Sequence, residues 1–335
     1  MTLLHSGLRR KAIGFAALVA VALAATLASG ASAIAQEAYP ARPLRIIVPF
    51  PPGGPTDTSA RMIGKMLSDR LGQPVVIENR AGAGSTLGTL AAAQAAPDGY
   101  TLLWAGTSYA IAAAYGQAIG YDPLKSFSAI GEVVRGQQVM IGRLNLGFAT
   151  LKELVAASKA NPGRMTYGSV GVGSAPHLVA ELFKSVSGAS LLHVPYKGGS
   201  QAMNDLQGGH IDVMFNTISL IAPQVKARRV KGYAVTGKSR SPLLPELPTI
   251  AEALGVDFET YFWFGLTSPA GTPAPIVGRL SLELNRMLAD GRVREDLGKQ
   301  GLEPVGGTPE SFEQTIANEI KRWSAVIKAA GIKRE

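Results

Sequence analysis

Leu44 to Met62 reads LRIIVPFPPGGPTDTSARM, an apolar run that stops at a Pro/Gly turn and restarts as a helix-like segment. Thr56, Asp57 and Thr58 stand in its cap positions. A buried strand that ends in a glycine turn and a helix N-terminus leaves backbone N–H groups unpaired, and the helix dipole there favours negative charge. The chemistry open to such a turn is anion binding. The same grammar returns where PVVIENR (74–80) leads into AGAGSTLGTL (81–90), and again at MTYGSVGVGSAPHL (165–178). Three such turns with little acid–base machinery around them point to a chain that holds a small anion rather than transforms it.

The catalytic and cofactor motifs nearest to these turns each fall short. Gly82, Gly84 and Gly88 are spaced one residue too widely for a dinucleotide fingerprint, and no acidic residue follows about 20 positions on. Gly168 to Gly173 has phosphate-loop spacing, but Ser174 stands where the lysine belongs. Gly106-Thr107-Ser108-Tyr109-Ala110 nearly forms a nucleophile elbow yet ends in alanine. A secreted serine hydrolase using Ser108 is therefore the alternative reading. His177, His193 and His210 lack zinc-helix spacing, and the chain has no cysteine, so neither a metal site nor thiol chemistry is expected. No cofactor is expected either.

Other polar residues fall where ligands gather in α/β proteins. His177 stands where the third turn becomes a helix, with two roles open to it: donating to a ligand carboxylate, or capping and packing. Tyr196, in HVPYKGG, sits at a strand-to-helix turn from which its hydroxyl can close over a ligand or stay on the surface. Asn216 and Thr217 lie just past a strand, at its carboxyl end.

These turns need a scaffold that the 335-residue chain can build, at about two domains' length. The apolar fraction is 46% against 17% charged, enough for packed cores. Residues 1–35 read as a secretory leader: Arg9, Arg10 and Lys11, then an apolar stretch at 12–28, then cleavage at Ala33-Ile34-Ala35. Its removal near Ala35 lowers the net charge from +9 to +6, because the leader carries three basic and no acidic residues. No basic run interleaved with aromatics accompanies that excess, so nucleic acid is not an expected partner. An exported protein is expected.

Strand-like segments at 44–49, 74–78, 101–105, 166–169, 191–194, 212–215 and 232–236 alternate with amphipathic helices at 57–71, 86–95, 150–160, 175–187, 199–207 and 217–228. That alternation predicts an α/β fold with mainly parallel sheets. Two β-prone stretches, 129–143 and 258–268, lack the glycine–helix exit and read as crossings between two lobes. The first lobe then comprises 37–137 plus 258–335, and the second 138–257. The tail from Pro273 is expected to be largely helical, with a cap at TPES (308–311), and to wrap back on the first lobe.

The chain resembles the receptor family of tripartite tricarboxylate transporters, the periplasmic solute-binding Bug proteins. PFPPGGPTDTSAR (49–61), VIENRAGAGSTLG (76–88), APDGYTLLW (96–104), YGSVGVGSAPHLVAELF (167–183), HVPYKGG (193–199), DLQGGHIDVMF (205–215) and SPAGTPAPIV (268–277) carry the resemblance, in the expected order. It implies a two-lobed, hinged Venus-flytrap fold of type II, with two mixed, mainly parallel sheets. Such a protein is not an enzyme; it closes on a small carboxylate and delivers it to membrane permease subunits. The ligand loops implied by position comprise Gly53, Gly54, Thr56, Asp57, Ala83 and Gly84 on one side. Ser174, His177, Tyr196 and Asn216 stand on the other. Ser85, where the family more often has glycine, together with Thr107 and Ser108, completes the expected ligand-binding set. Dicarboxylates, tricarboxylates, amino acids and aromatic acids all fit these loops.

Overall fold

The computed structural model describes residues 39–116 and 119–333. The expected leader and its cleavage site lie outside the described residues. From Arg42 onward the chain forms one compact unit.

The first strand–turn–helix unit runs from β1 (Leu44–Val48) through the Pro/Gly turn into α1 (Pro55–Leu71) and on to β2 (Val75–Asn79). Ile46, Ile47 and Val48 are buried, and β1 pairs in parallel with β2 and with β3 (Thr101–Gly106). A strand flanked in parallel on both sides reads as a nearly continuous apolar run, as β1 does apart from Arg45. A short 3₁₀ turn at Ala83–Ser85 leads into α2 (Thr86–Ala93), and β3 runs directly into α3 (Thr107–Ala114). The sequence reading has no helix at α3.

The stretch expected as one crossing, 129–143, is two strands, β4 (Phe127–Gly136) and β5 (Gln138–Gly142), joined through Gln137. Beyond them come α4 (Leu151–Ala160), β6 (Met165–Ser169), α5 (Ala175–Ser187), β7 (Leu191–Pro195), α6 (Gly199–Gly208), β8 (Val213–Thr217), α7 (Ile218–Lys226) and β9 (Lys231–Val235). After α8 (Ile250–Leu254) the chain returns along β10 (Phe262–Pro269). The tail is helical in α9 (Ala274–Leu288), α10 (Gly291–Lys299) and α11 (Pro309–Ala329), but it also supplies a strand, β11 (Leu302–Gly306). Thr308 caps α11 by accepting the Ser311 N–H.

The strands form two sheets, ordered β11-β4-β10-β3-β1-β2 and β7-β6-β8-β5-β9. Both are mixed. The parallel ladders belong to the strand–turn–helix units, and each antiparallel ladder described involves β4, β5 or β10. Alternation in sequence predicts parallel pairing but cannot show the direction in which a crossing strand re-enters a sheet.

Gln137 marks the corner between the sheets. It is buried, its Nε2 donates to the Ser239 carbonyl at 3.1 Å, and its Oε1 accepts the Gly237 N–H at 3.3 Å. Gln138 N–H donates to Thr236 Oγ1, and Thr260 N–H donates to the Thr236 carbonyl, so both chain crossings are stitched at one place. Helix α11 spans the arrangement, since Trp323 and Ile327 share a core with Ile111 beside the first sheet, with Phe215 of the second and with Phe183 of α5.

Beneath α11, Glu132 of β4 is buried and accepts a hydrogen bond from Thr315. Burial pushes its carboxyl pKa up, against the opposing pull of Thr315 and Arg135. A raised folded-state value means that this group's contribution to stability is complete at low pH and is lost as pH rises through that value. Glu132→Gln keeps the shape and removes the buried charge. Chemical denaturation should find the variant more stable than wild type at pH 8, with the difference gone by pH 4.

Candidate functional site

The first turn is held from within. Asp57 is buried, and its carboxylate accepts the Gly53 N–H at 2.9 Å, Arg61 Nε at 3.0 Å and Asn79 Nδ2 at 2.8 Å. Asn79 Nδ2 also donates to the Phe50 carbonyl, and Arg61 reaches Asn79 Oδ1. Burial works against the charged carboxylate, but the bonds from Arg61, Gly53 and Asn79 outweigh it and hold the pKa below the ordinary value. Asp57, expected to face ligand, therefore turns inward and shapes the turn, whereas Gly53 gives it its N–H but stays exposed. Arg61 is part of this lock, not a simple helix-face residue. Gly54, at the N-cap of α1, has φ −82° with open space around it, and Thr56 follows in the first helical turn, half-buried.

The second turn places four successive residues at positive φ: Gly82 (137°), Ala83 (46°), Gly84 (61°) and Ser85 (87°). Such runs curl the backbone N–H groups around a concavity suited to anions. Ser85 holds a backbone conformation that costs a residue other than glycine about 1–3 kcal/mol. Its Oγ is buried with no hydrogen-bond partner among the described residues. Gly88 brings this turn against the first, since a Cβ there would sit 2.4 Å from the Arg80 carbonyl oxygen and 2.8 Å from Pro49 Cα.

At the start of α3, Thr107 is buried and its Oγ1 accepts the Trp263 N–H, so it fastens β10 rather than facing ligand. Ser108 is half-buried and has no histidine partner among the described residues, which leaves the hydrolase reading without a base. His177 and His193 are engaged elsewhere.

Across from these turns, the 170–174 loop rests on a stack of rings. Tyr167 lies on His193 at 4.8 Å, and His193 on His177 at 4.0 Å and 9°. His177 is buried and its Nδ1 accepts the Gly173 N–H at 2.9 Å. His193 Nε2 meets Ser169 Oγ at 2.7 Å, while Ser169 and Ser174 hydroxyls both donate to the Gly171 carbonyl. Burial, then the neighbouring His193, lowers the His177 pKa to about 4, and burial also lowers that of His193. Of the two roles open to His177, the structure gives packing and loop support. Tyr196 is likewise committed: its hydroxyl donates to Asp205 at 2.7 Å, and burial with that bond raises its pKa to about 12.

Two of the compartments between the sheets bear on these turns and loops. The smaller, about 410 Å³, has Gly84 and Ser108 on one wall and Gly173 and Ser174 on the other, with Phe50 and Tyr115 closing it. The larger, about 700 Å³, has Gly54 and Pro55 facing Asn216 and Gly199. Val170 and Pro176 line both, so the compartments adjoin. Neither is lined by a carboxylate. The two sides meet closely, since a Cβ on Gly173 would fall 1.9 Å from Tyr115 Oη. Phe50, Tyr115, Val170 and Pro176 were not foreseen as wall residues. The apolar residue inside each glycine turn, Phe50 in PFPPGG and Val170 in SVGVG, was the available signal.

Residues 59–332 match the family described as "Tripartite tricarboxylate transporter family receptor". The chain belongs to this family. The periplasmic binding protein BugD is 36% identical, with a TM-score of 0.76 over 89% of this chain and 100% of its own. A receptor from R. palustris solved with adipate is 33% identical, with a TM-score of 0.78 over 88% of this chain and 99% of its own. MatC from Rhodopseudomonas palustris, solved with bound malate, is 32% identical, with a TM-score of 0.74 over 86% and 100%. The tripartite transporter receptor thus has the periplasmic-binding-protein fold and binds its solute rather than reacting with it.

The ring stack makes this receptor acid-sensitive in a defined window. A histidine whose folded pKa is depressed gives stability that is present above the unfolded value near 6.5 and is lost as pH falls toward about 4. Denaturation between pH 7.5 and 4 should show wild type losing about 1–3 kcal/mol through this window. His177→Gln, less stable at pH 7.5, should lose less over the same range.

Proposed function

We propose that this receptor captures a small organic acid between its two sheets and presents it to the membrane permease subunits of a tripartite transporter. The observation that carries the reading is the pairing of two glycine turns by Gly88, opposite a seryl loop, around compartments with no lining carboxylate. The adipate and malate in the two receptors from palustris support an acid as the ligand class. Gly84 and Ser108 hold a carboxylate in the smaller compartment, against the wall that Ser174 forms, while Gly54 and Thr56 offer helix N-terminal donors beside it. Each hydrogen bond to the charged group contributes about 1.5–3 kcal/mol.

In this reading residues 37–137 with 258–335 act as one lobe and 138–257 as the other, hinged at Gln137 and Thr236. A ligand that touches both lobes binds the closed form preferentially and shifts the population toward it. The receptor acts in the periplasm as a monomer, after removal of its leader near Ala35.

Gly54→Val is the direct test, because the extended backbone and open space at Gly54 accept a side chain without strain. The folded variant should lose at least tenfold in acid affinity by calorimetry; equal affinity would move the site away from this turn. Tyr196→Phe should bind acids within about twofold of wild type, since its hydroxyl serves Asp205. Small-angle scattering should show compaction of wild type on saturation with a bound acid.

A further inference from the structure

A third compartment, of about 230 Å³, lies among α1, α7 and the crossing strand β10. Phe262 and Phe264 of β10 line it with ring centres 5.8 Å apart, together with Met62 of α1 and Leu220 of α7. The two rings lie close on the sheet because glycines stand beneath them. A Cβ on Gly106 would fall 2.8 Å from Phe264 Cδ1, and one on Gly136 would strike the Phe262 ring. Trp104 stacks on Phe264 at 5.5 Å and 23°, which fixes that ring from behind. No residue of the lining carries a charge. The hydroxyls of Thr58 and Ser59 are spent on the Gly54 and Thr56 carbonyls, at 3.1 and 3.0 Å. Ser219 and Gln300 also line the compartment, and their side chains make no hydrogen bonds among the described residues. A charged group here would lose water and gain no counter-charge, so an anion is refused. An apolar cavity of about 150 Å³ already takes a benzene ring, which leaves this one room for a ring with one small substituent. Aromatic edges and a thioether favour such a ring, and Ser219 and Gln300 offer partners for one neutral polar group on it.

We propose that this compartment is a separate site for a small neutral aromatic molecule, which bridges α1 and α7 and thereby strengthens the hold on an acid next door. The bridging half of the proposal rests on the reading of the cleft as a two-lobed acid site; the binding half does not. In that reading α1 and β10 belong to the first lobe and α7 to the second, so a molecule in contact with all three binds better when the lobes are together. The acid has the same preference. Two ligands that favour one arrangement raise each other's affinity without touching. Pro55, Thr217 and Leu220 line both this compartment and the larger one, which makes the two neighbours. The same placement accounts for Leu220, an apolar side chain left half-exposed at the start of α7. The competing account is a packing gap beside the corner at Gln137 that binds nothing.

Calorimetric titration with benzyl alcohol, in the absence of any acid, tests the site directly. Wild type should bind it saturably. Ser219→Phe fills the compartment from α7 and Met62→Trp fills it from α1, and each should weaken the binding about tenfold or more by steric exclusion. Circular dichroism checks that the variants fold, and either one suffices. Adipate affinity should rise about fivefold or more when benzyl alcohol is saturating. Absence of saturable binding, or binding that survives in a folded filled variant, overturns the site. Benzyl alcohol that lowers adipate affinity is occupying the acid compartments, and the proposal falls. An unchanged adipate affinity overturns the bridging. A receptor that binds benzyl alcohol here but no adipate overturns the acid reading instead. Small-angle scattering then decides the bridging alone, since benzyl alcohol should compact wild type and leave the filled variants unchanged.

Discussion

A single buried carboxylate fixes the geometry on which the cleft depends. Asp57 reaches back to the Gly53 N–H, sideways to Arg61 and across to Asn79, joining the turn, its helix and the neighbouring strand. A Pro/Gly turn has little side-chain packing to hold it, so without this clamp its backbone donors would point in many directions. The arrangement has a chemical consequence. The negative charge of Asp57 is neutralised internally by Arg61, which leaves the outward donors free of its repulsion. In the proposed reading an incoming anion would meet aligned dipoles rather than a counter-ion, which suits a receptor that must also let its solute go.

The opposite wall solves the same problem with rings instead of charges. The 170–174 loop has glycines at 171 and 173 and would be loose alone. Gly173 is tied to His177, and Ser169 to His193, and both histidines are clamped face to face beside Tyr167. Stacked neutral imidazoles make a flat, stiff platform, and burial keeps them neutral. The wall is rigid because its polar atoms are spent on holding the loop.

Much of this organisation is legible in the sequence, and the losses have a common cause. Apolar runs ending in glycine turns located β1, β2, β6 and their helices, because a both-sides-buried strand and a helix start impose local composition. The crossing at 129–143 was visible as β-prone, but its break at Gln137 was not, since that corner is defined by partners 98–102 residues away, at Thr236 and Ser239. Strand β11 was hidden in a helical tail because its five residues alone, LEPVG, carry little pattern. Among site residues, position along the backbone was readable and side-chain direction was not. Asp57, Thr107, His177 and Tyr196 all stand at the right turns, yet each points at a protein partner that only tertiary structure supplies.

The strand order of the first sheet has a consequence for how the chain reaches its working state. β11, from the last tenth of the sequence, pairs with β4, and β10 lies between β4 and β3. The sheet that carries the two glycine turns therefore cannot be completed until Gly306 is available, however early β1 to β3 emerge. Pairings across such sequence distances form slowly, because loop closure must precede the contacts that reward it. A chain threaded amino-terminus first through a membrane would still be open during passage, and its topology would delay completion of the cleft until nearly all of it had crossed.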